Sequence, residues 1–402
     1  MSSKPIVIIG AGEAGVSAAA SLRSGGYDGR IILLSNERCA PYQLPPLSKD
    51  CLKRLASPPV PIKQDDWYAA QGVEIIFGAT AVQIDATDRQ ILFRENNKLQ
   101  KLKYQKLVCT TGSRARRFIG KTPFKYLRSM SDCEQLRPAM QDAECIAIVG
   151  GGIIGLEIAS LARELGKRVR LFEAAPRLMA RALPEPISRL IESLHRMHGV
   201  EVNLATSDIA VDSSGFSVGG KRILADLYVA GIGALPNAEV AQNSGCLVDD
   251  GIVVDSQGQT SLADVYAAGD VARFYHPIAE QYMRVETWQH AQRHGGHVGH
   301  AMVKQQPEFD TLPWFWTDQF GINFQTVGFP ALAEKTIRVG NYTEERATYV
   351  HLKGERIVAA TTLNNGRDIR PLSSLITNRW QADINALISP SVSVRSLLQS
   401  QS

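Results

Sequence analysis

No two cysteines stand close enough to form a Cys-x-x-Cys pair. The six, at positions 39, 51, 109, 133, 145 and 246, approach no nearer than twelve positions (51 − 39 and 145 − 133). That spacing excludes the common zinc-ligand patterns and a dithiol redox pair, and buried free thiols are the expectation. No apolar run approaches the roughly 20 residues that span a bilayer. Met1 to Pro5 lead directly into Ile6-Val7-Ile8-Ile9-Gly10 without the pattern of a secretory signal, so a cytoplasmic protein is expected. A large charge excess is missing too. With 44 Lys plus Arg against 40 Asp plus Glu, the net charge is +4, far from a nucleic-acid-binding tail. A local basic face toward an acidic protein partner remains compatible with that balance.

What is present is length and repetition. The 402 residues, 44% of them apolar, suffice for two or three cores, since single cores stop growing well before this size. Two segments repeat an apolar strand, a glycine-rich turn, a helix and a second strand. Ile6 to Ile9 precede Gly10-Ala11-Gly12-Glu13-Ala14-Gly15, an Ala-rich helix and Arg30 to Leu34. Ile146 to Val149 precede Gly150-Gly151-Gly152-Ile153-Ile154-Gly155, a helix from Leu156 to Gly166, and Arg168 to Glu173. Short apolar runs joined by helical crossovers predict buried parallel strands. A third run, Ala263 to Asp270, predicts a strand ending in a loop with a carboxylate. Beyond about residue 311, Trp314, Phe315, Trp316, Phe320 and Phe324 mark a strand-rich, smaller C-terminal domain. The expected architecture is α/β, with two Rossmann-like units and a smaller α+β domain.

A G-x-G-x-x-G turn means little alone, but both copies here have a strand before and a helix after. The first glycine permits the tight turn, the second the approach of a pyrophosphate, and the third close helix–strand packing. The helix start then offers unpaired N–H groups and a positive dipole end to phosphates. A carboxylate ending the second strand accepts hydrogen bonds from a ribose. Glu173 lies 173 − 150 = 23 positions after its first glycine, near the usual interval of about 20. It favours NADH over NADPH, while Arg170, Arg177 and Arg181 nearby pull the other way. In the first unit Asn36 and Glu37 both fall at the ribose position. Two nucleotides in one protein make a reaction only if they differ, and an N-terminal unit holding FAD beside a middle unit holding NADH supplies hydride acceptor and donor.

At this point the residues resemble the FAD-dependent pyridine nucleotide reductases. Within them they are most similar to the ferredoxin reductase components of aromatic-ring dioxygenases and of some haem-thiolate monooxygenase systems. The resemblance runs from Gly10 to about Leu372. It rests on Pro45-Pro46-Leu47-Ser48-Lys49, Thr111-Gly112-Ser113-Arg114, Tyr126-Leu127-Arg128, Gly231-Ile232-Gly233-Ala234-Leu235-Pro236-Asn237, Ala268-Gly269-Asp270 and Pro313-Trp314-Phe315-Trp316-Thr317-Asp318-Gln319 in that order. It implies a glutathione-reductase-like fold: an FAD-binding domain over 1–113 and 240–310, an NADH-binding domain over 114–239, and a C-terminal domain over 311–402.

By the same resemblance Lys49 sits against the isoalloxazine, where its ammonium stabilises negative charge on the reduced ring. Asp270 holds the ribityl chain, Arg128 reaches FAD, Ala14 and Val82 give backbone contacts, and Trp288 lies near the flavin at a helix start. Glu157 positions the nicotinamide, and Trp316 lines the exposed flavin edge. The catalytic set is thus Lys49, Glu157 and Trp316. The cofactor-binding set for FAD and NADH is Gly10, Gly12, Ala14, Gly15, Asn36, Glu37, Lys49, Val82, Thr111, Gly112, Arg128, Gly150, Gly152, Ile153, Ile154, Gly155, Glu173, Gly231, Ile232, Gly233, Gly269, Asp270 and Trp288. Leu44, Asn36 and Thr110 depart from the family pattern, which more often has Arg, an acid and Ala there.

His290, His294, His297 and His300 recur at helical spacing. Gly295, Gly296 and Gly299 weaken that helix, and a solvated or partly buried histidine face is expected rather than a metal site.

The implied reaction passes a hydride from NADH to FAD and then single electrons to a 2Fe-2S ferredoxin that feeds a terminal oxygenase in aromatic hydrocarbon catabolism. An acidic ferredoxin would be steered by Arg114, Arg116, Arg117, Lys121 and Lys125, or these form a solvated face. A monomer or weak homodimer, with neither nucleic acid nor membrane as partner, completes the expectation. Two other readings compete: an NADH oxidase or peroxidase using Cys39, and a flavoprotein of apoptosis-factor type whose association responds to NADH.

Overall fold

A computed structural model describes residues 4–53, 58–340, 346–381, 383, 387–389 and 393–399. The chain forms two compact units, one of Met1–Leu44, Pro59–Arg114 and Leu235–Thr311, the other of Pro45–Pro58, Ala115–Ala234 and Leu312–Ser402. Four helices matter below: α1 (Glu13–Ser24), α2 (Ile153–Glu164), α3 (Glu185–Met197) and α4 (Trp288–Ala301).

In the first unit five parallel strands stand in the order Val265–Ala267, Lys106–Cys109, Ile6–Ile9, Ile31–Ser35, Val73–Phe77. Side chains alternate across a strand, so Ile6 and Ile8 pack with Val16, Ala19 and Leu22 of α1 on one face. Val7 and Ile9 face a second core with Ile32, Leu34 and Phe274. Covering both faces is what makes the central strand continuously apolar. An antiparallel sheet of Ala79–Asp85, Gln90–Glu95 and Lys98–Lys103 belongs to the same unit.

Helix α4 is unbroken despite its three glycines. Thr287 caps its start by accepting from the His290 N–H. A β-carbon on Gly295 would lie 2.2 Å from Ala14 O, and one on Gly299 2.5 Å from Ala18 O. The glycines therefore admit the backbone of α1, and that contact outweighs their low helix propensity. Buried His290 and His294 turn the other way, against Phe274 and Phe309, with ring centroids 4.9–5.7 Å apart.

The second unit carries four parallel strands in the order Val200–Asn203, Arg168–Phe172, Cys145–Val149, Leu227–Ala230. It also carries a five-stranded antiparallel sheet in the order Trp314–Gln319, Ile322–Gly328, Arg356–Leu363, Ala347–Lys353, Lys335–Arg338. The segment Pro45–Lys53 is anchored here by Arg137, whose Nε and Nη2 donate to Cys51 O at 2.8 and 2.6 Å. Of the six free cysteines, Cys39 is exposed and the other five are buried. No helix among the described residues is long and apolar enough to cross a membrane.

Candidate functional site

The first glycine turn closes as its sequence requires. Gly10 sits at φ +105°, and a β-carbon there would meet Thr110 O at 2.4 Å. One on Gly15 would meet Gly10 O at 2.0 Å, whereas one on Gly12 would find nothing within 4 Å. Gly10 and Gly15 are thus fixed by packing, and Gly12 by open space at the start of α1. No side chain caps that start, so its N–H groups are left for an outside acceptor.

The other residues expected around this turn gather in the same unit. Asn36, exposed, and Glu37 follow the strand Ile31–Ser35, and the Tyr42 hydroxyl donates to both Glu37 oxygens at 2.9–3.0 Å. Val82 is the extra residue of a β-bulge, between the pairs Ala81–Phe93 and Gln83–Leu92. That removes its backbone from the ladder and suits it to main-chain contact with a ligand. Thr111 and Gly112 are locked to Asn237 by three hydrogen bonds of 2.7–2.9 Å. Ser113 donates to Asp270 Oδ2 at 3.0 Å. The Gly269 N–H meets His294 Nδ1 at 3.3 Å, and a β-carbon on Gly269 would lie 2.8 Å from Ala14 Cβ. Trp288 opens α4, and its indole N–H donates to Glu13 Oε2 at 2.9 Å. Burial raises the Glu13 carboxyl above its usual range, opposed by its bonds from Gln292 and Trp288.

The second turn repeats the design. Gly150, at φ +108°, faces Gly231 O, Gly155 faces Gly150 O, and Gly152 has nothing nearer than 4.0 Å. Ile153 and Ile154 begin α2, which also lacks a side-chain cap. Gly231 N–H donates to Val149 O and Arg116 N–H to Gly233 O, placing Gly231-Ile232-Gly233 beside the turn. Glu173 accepts from Gly151 N–H at 2.6 Å and Ala175 N–H at 2.7 Å, so both oxygens are oriented at the strand end. Arg170 is spent on Glu201 at 3.0 and 3.1 Å, and Arg177 on Leu183 O, Ala180 O and Ser188 Oγ. Exposed Arg181 is the arginine that reaches the Gly231 loop, with Nη2 3.1 Å from the β-carbon position of Gly233. Each turn, with open space at its second glycine, an uncapped helix start and a carboxylate beyond, fits a dinucleotide.

A third constellation lies within the second unit. Glu157, 3% exposed, accepts from Lys49 Nζ at 2.5 Å, from Thr317 Oγ1 at 2.8 Å and from the Ser48 hydroxyl. Lys49 keeps a quarter of its side chain exposed and lies 3.7 Å from Asp318 Oδ2. Two residues expected in separate roles are one ion pair. Trp316 stacks on Trp314, centroids 5.1 Å apart, on the strand whose opposite face supplies Thr317. Arg128 precedes the helix Met130–Asp142, its N–H donating to Asp132 Oδ2 at 3.1 Å. The basic run is partly neutralised: Arg114 pairs with Glu239 at 2.5 Å, and Arg117 reaches Asp132 at 3.7 Å.

Sequence reasoning did not single out Ser48, Thr317, Gln319 or His195 as working residues. The available signal was two polar residues, Thr317 and Gln319, on the inward face of a strand.

Residues 4–295 match the pyridine nucleotide-disulphide oxidoreductase family, and residues 314–398 match the reductase C-terminal family. The chain is 36% identical to the ferredoxin–NAD(+) reductase component of a 3-phenylpropionate/cinnamic acid dioxygenase from Photorhabdus laumondii, over 95% of this chain and 98% of the relative. It is 36% identical to a rubredoxin–NAD(+) reductase of Ectopseudomonas oleovorans, over 89% and 95%. Among solved structures, the reductase of a covalent putidaredoxin reductase–putidaredoxin complex superposes with a TM-score of 0.93 at 30% identity, covering 100% of this chain and 99% of that one.

Proposed function

The chain belongs to the pyridine nucleotide-disulphide oxidoreductase family, and from that premise we propose that it is the NADH-dependent, FAD-containing ferredoxin reductase of an oxygenase system. FAD, when bound, takes two electrons as a hydride and releases them one at a time. The observation that carries the reading is the pair of uncapped, open glycine turns, one in each unit. No two cysteines stand fewer than twelve positions apart, so the chain lacks the closely spaced pair through which disulfide reductases pass electrons.

Gly12, Val82, Thr111, Gly112, Asp270 and Trp288 would hold FAD, together with Arg128, and Gly152, Glu173 and the Gly231 loop would hold NADH. Glu173 repels a 2′-phosphate, and Arg170 and Arg177 do not offset it because they are bound elsewhere. With both cofactors bound, the Lys49 ammonium would balance negative charge on the flavin, Glu157 would hold that ammonium and orient the nicotinamide, and Trp316 would line the flavin edge. A small 2Fe-2S ferredoxin is the partner. Rubredoxin is the competing acceptor, since one relative is a reductase for it. Six free cysteines suit the reducing cytoplasm, where the protein would act as a monomer or weak homodimer.

The test is direct. The purified protein is expected to be yellow, to bleach with NADH, and to reduce cytochrome c only after a ferredoxin is added. A rate independent of added ferredoxin, or a preference for NADPH, would refute the reading. A larger stimulation by rubredoxin would reassign the partner.

A further inference from the structure

Behind Glu157 the second unit carries a line of buried polar side chains that the reaction as described does not use. Thr317 Oγ1 donates to Glu157 Oε1 at 2.8 Å. Gln319 Nε2 donates to Thr317 Oγ1 at 3.1 Å, and His195 Nε2, on α3, meets Gln319 Oε1 at 2.8 Å. All three side chains are fully buried. His195 Nδ1 has no hydrogen-bond partner.

The hydrogens in this line are fixed by inventory. A carboxylate offers none, so the single hydroxyl hydrogen of Thr317 goes to Glu157, and Thr317 must accept from Gln319. That turns the amide nitrogen of Gln319 toward Thr317 and its oxygen toward His195, which requires the proton on His195 Nε2. Nδ1 is then a bare lone pair, in keeping with an imidazole that burial keeps neutral by pushing its pKa down to about 4. Every donor points the same way and the line ends on Glu157, an arrangement in which each bond polarises the next.

Packing alone does not call for such a line, because apolar residues of similar shape fill a buried space at comparable stability. At Oε1 the line has a chemical consequence. That oxygen is shared by Thr317 and Lys49, while Ser48 takes Oε2. Lys49 also has a second, more exposed carboxylate within reach, Asp318 at 3.7 Å. A donor fixed from behind holds Oε1 where it keeps Lys49 from turning to Asp318.

We propose that His195, Gln319 and Thr317 are positioning residues that hold Glu157, and through it the Lys49 ammonium, in the arrangement used for flavin reduction. This rests on the role given to Lys49 above.

The holoenzyme variants T317V, T317S, Q319M and K49M test it by flavin midpoint potential and by the separate effects on kcat and KM for NADH. T317V is expected to lower kcat roughly tenfold, the size of one lost bond to a charged group, and Q319M, which removes bonds between neutral groups, about fivefold. They should leave KM within about twofold and shift the potential in the same direction as K49M. T317S is expected to restore both. In a third measurement, the 15N resonances of His195 report the Nε2–H tautomer and move in E157Q. Wild-type potential and kcat in T317V and Q319M, with both lowered in K49M, would overturn the relay alone. No effect in K49M would overturn the Lys49 reading and the relay with it. Unmoved His195 resonances in E157Q would show that the line is not coupled to the carboxylate.

Discussion

At Gly12 and Gly15, three positions apart in one turn, the same added methyl group has opposite consequences. Gly15 leaves no room, with Gly10 O 2.0 Å from the β-carbon position, whereas Gly12 has open space and φ −78°, which any residue adopts. Gly15→Ala is therefore expected to lose about 1–3 kcal/mol of stability, seen as a lower urea midpoint. Gly12→Val is expected to keep that midpoint in flavin-free protein and to purify colourless, because its side chain fills the phosphate approach. A yellow Gly12→Val protein would argue against FAD at this turn. Glu173 supplies a second contrast. Glu173→Gln removes the charge but leaves one carbonyl oxygen for the Gly151 and Ala175 N–H groups, so the NADH-over-NADPH ratio of kcat/KM should fall roughly tenfold; an unchanged ratio would place the discrimination elsewhere. These residues were legible because their spacing along the chain is itself the signal. His195, Gln319 and Thr317 were not, since their contacts join positions 124 and 160 apart, and buried threonine or glutamine in a strand has no local signature.

For elements, α4 shows where local propensity and tertiary packing part. Three glycines and four histidines in fourteen residues predict a weak helix with a wet or half-wet face. The structure has a full helix because two of the glycines meet the backbone of α1 and two of the histidines lie among phenylalanine rings. The glycines should then differ in their response to alanine. Gly295→Ala drives a β-carbon against Ala14 O at 2.2 Å, next to the first glycine turn, and is expected to destabilise the protein and, if that turn holds FAD as proposed, to weaken FAD retention. Gly296→Ala meets only Ser21 Oγ at 3.2 Å and gains up to about 1 kcal/mol of helix propensity, so thermal melting should place it at or near wild type. Equal losses in both would mean that the helix contact does not set the stability. The strands around each turn were legible from their short apolar runs. The anchoring of Pro45–Lys53 was not, because it depends on Arg137, 86 positions from Cys51.

Across the whole molecule, burial of ionisable side chains sets the pH range of stability. Desolvation lowers His195 to about 4 and His290 and His351 to about 3 from 6.5, and lowers His276, His294 and His297 as well. A histidine whose folded pKa lies below its unfolded value binds more protons when unfolded. Its contribution is therefore present above pH 6.5 and is lost as pH falls toward the folded value. At pH 5 His195, His290 and His351 each cost about 2 kcal/mol. Tyr68 and Tyr104 work at the other end. Burial raises both to about 12 from 10, so the unfolded chain loses its phenolic protons first and stability declines above about pH 10. Urea midpoints should form a plateau between these limits, with an acid limb that begins near pH 6.5 rather than in the carboxylate range. His351→Gln, which removes one such group from the second unit, should flatten that limb. Flavin loss would produce an acid limb of a different kind, because a ligand stabilises by an amount set by its concentration over its dissociation constant. If release of FAD were the cause, a large excess of FAD would move the limb to lower pH; if the histidines are the cause, the curves with and without excess FAD run parallel.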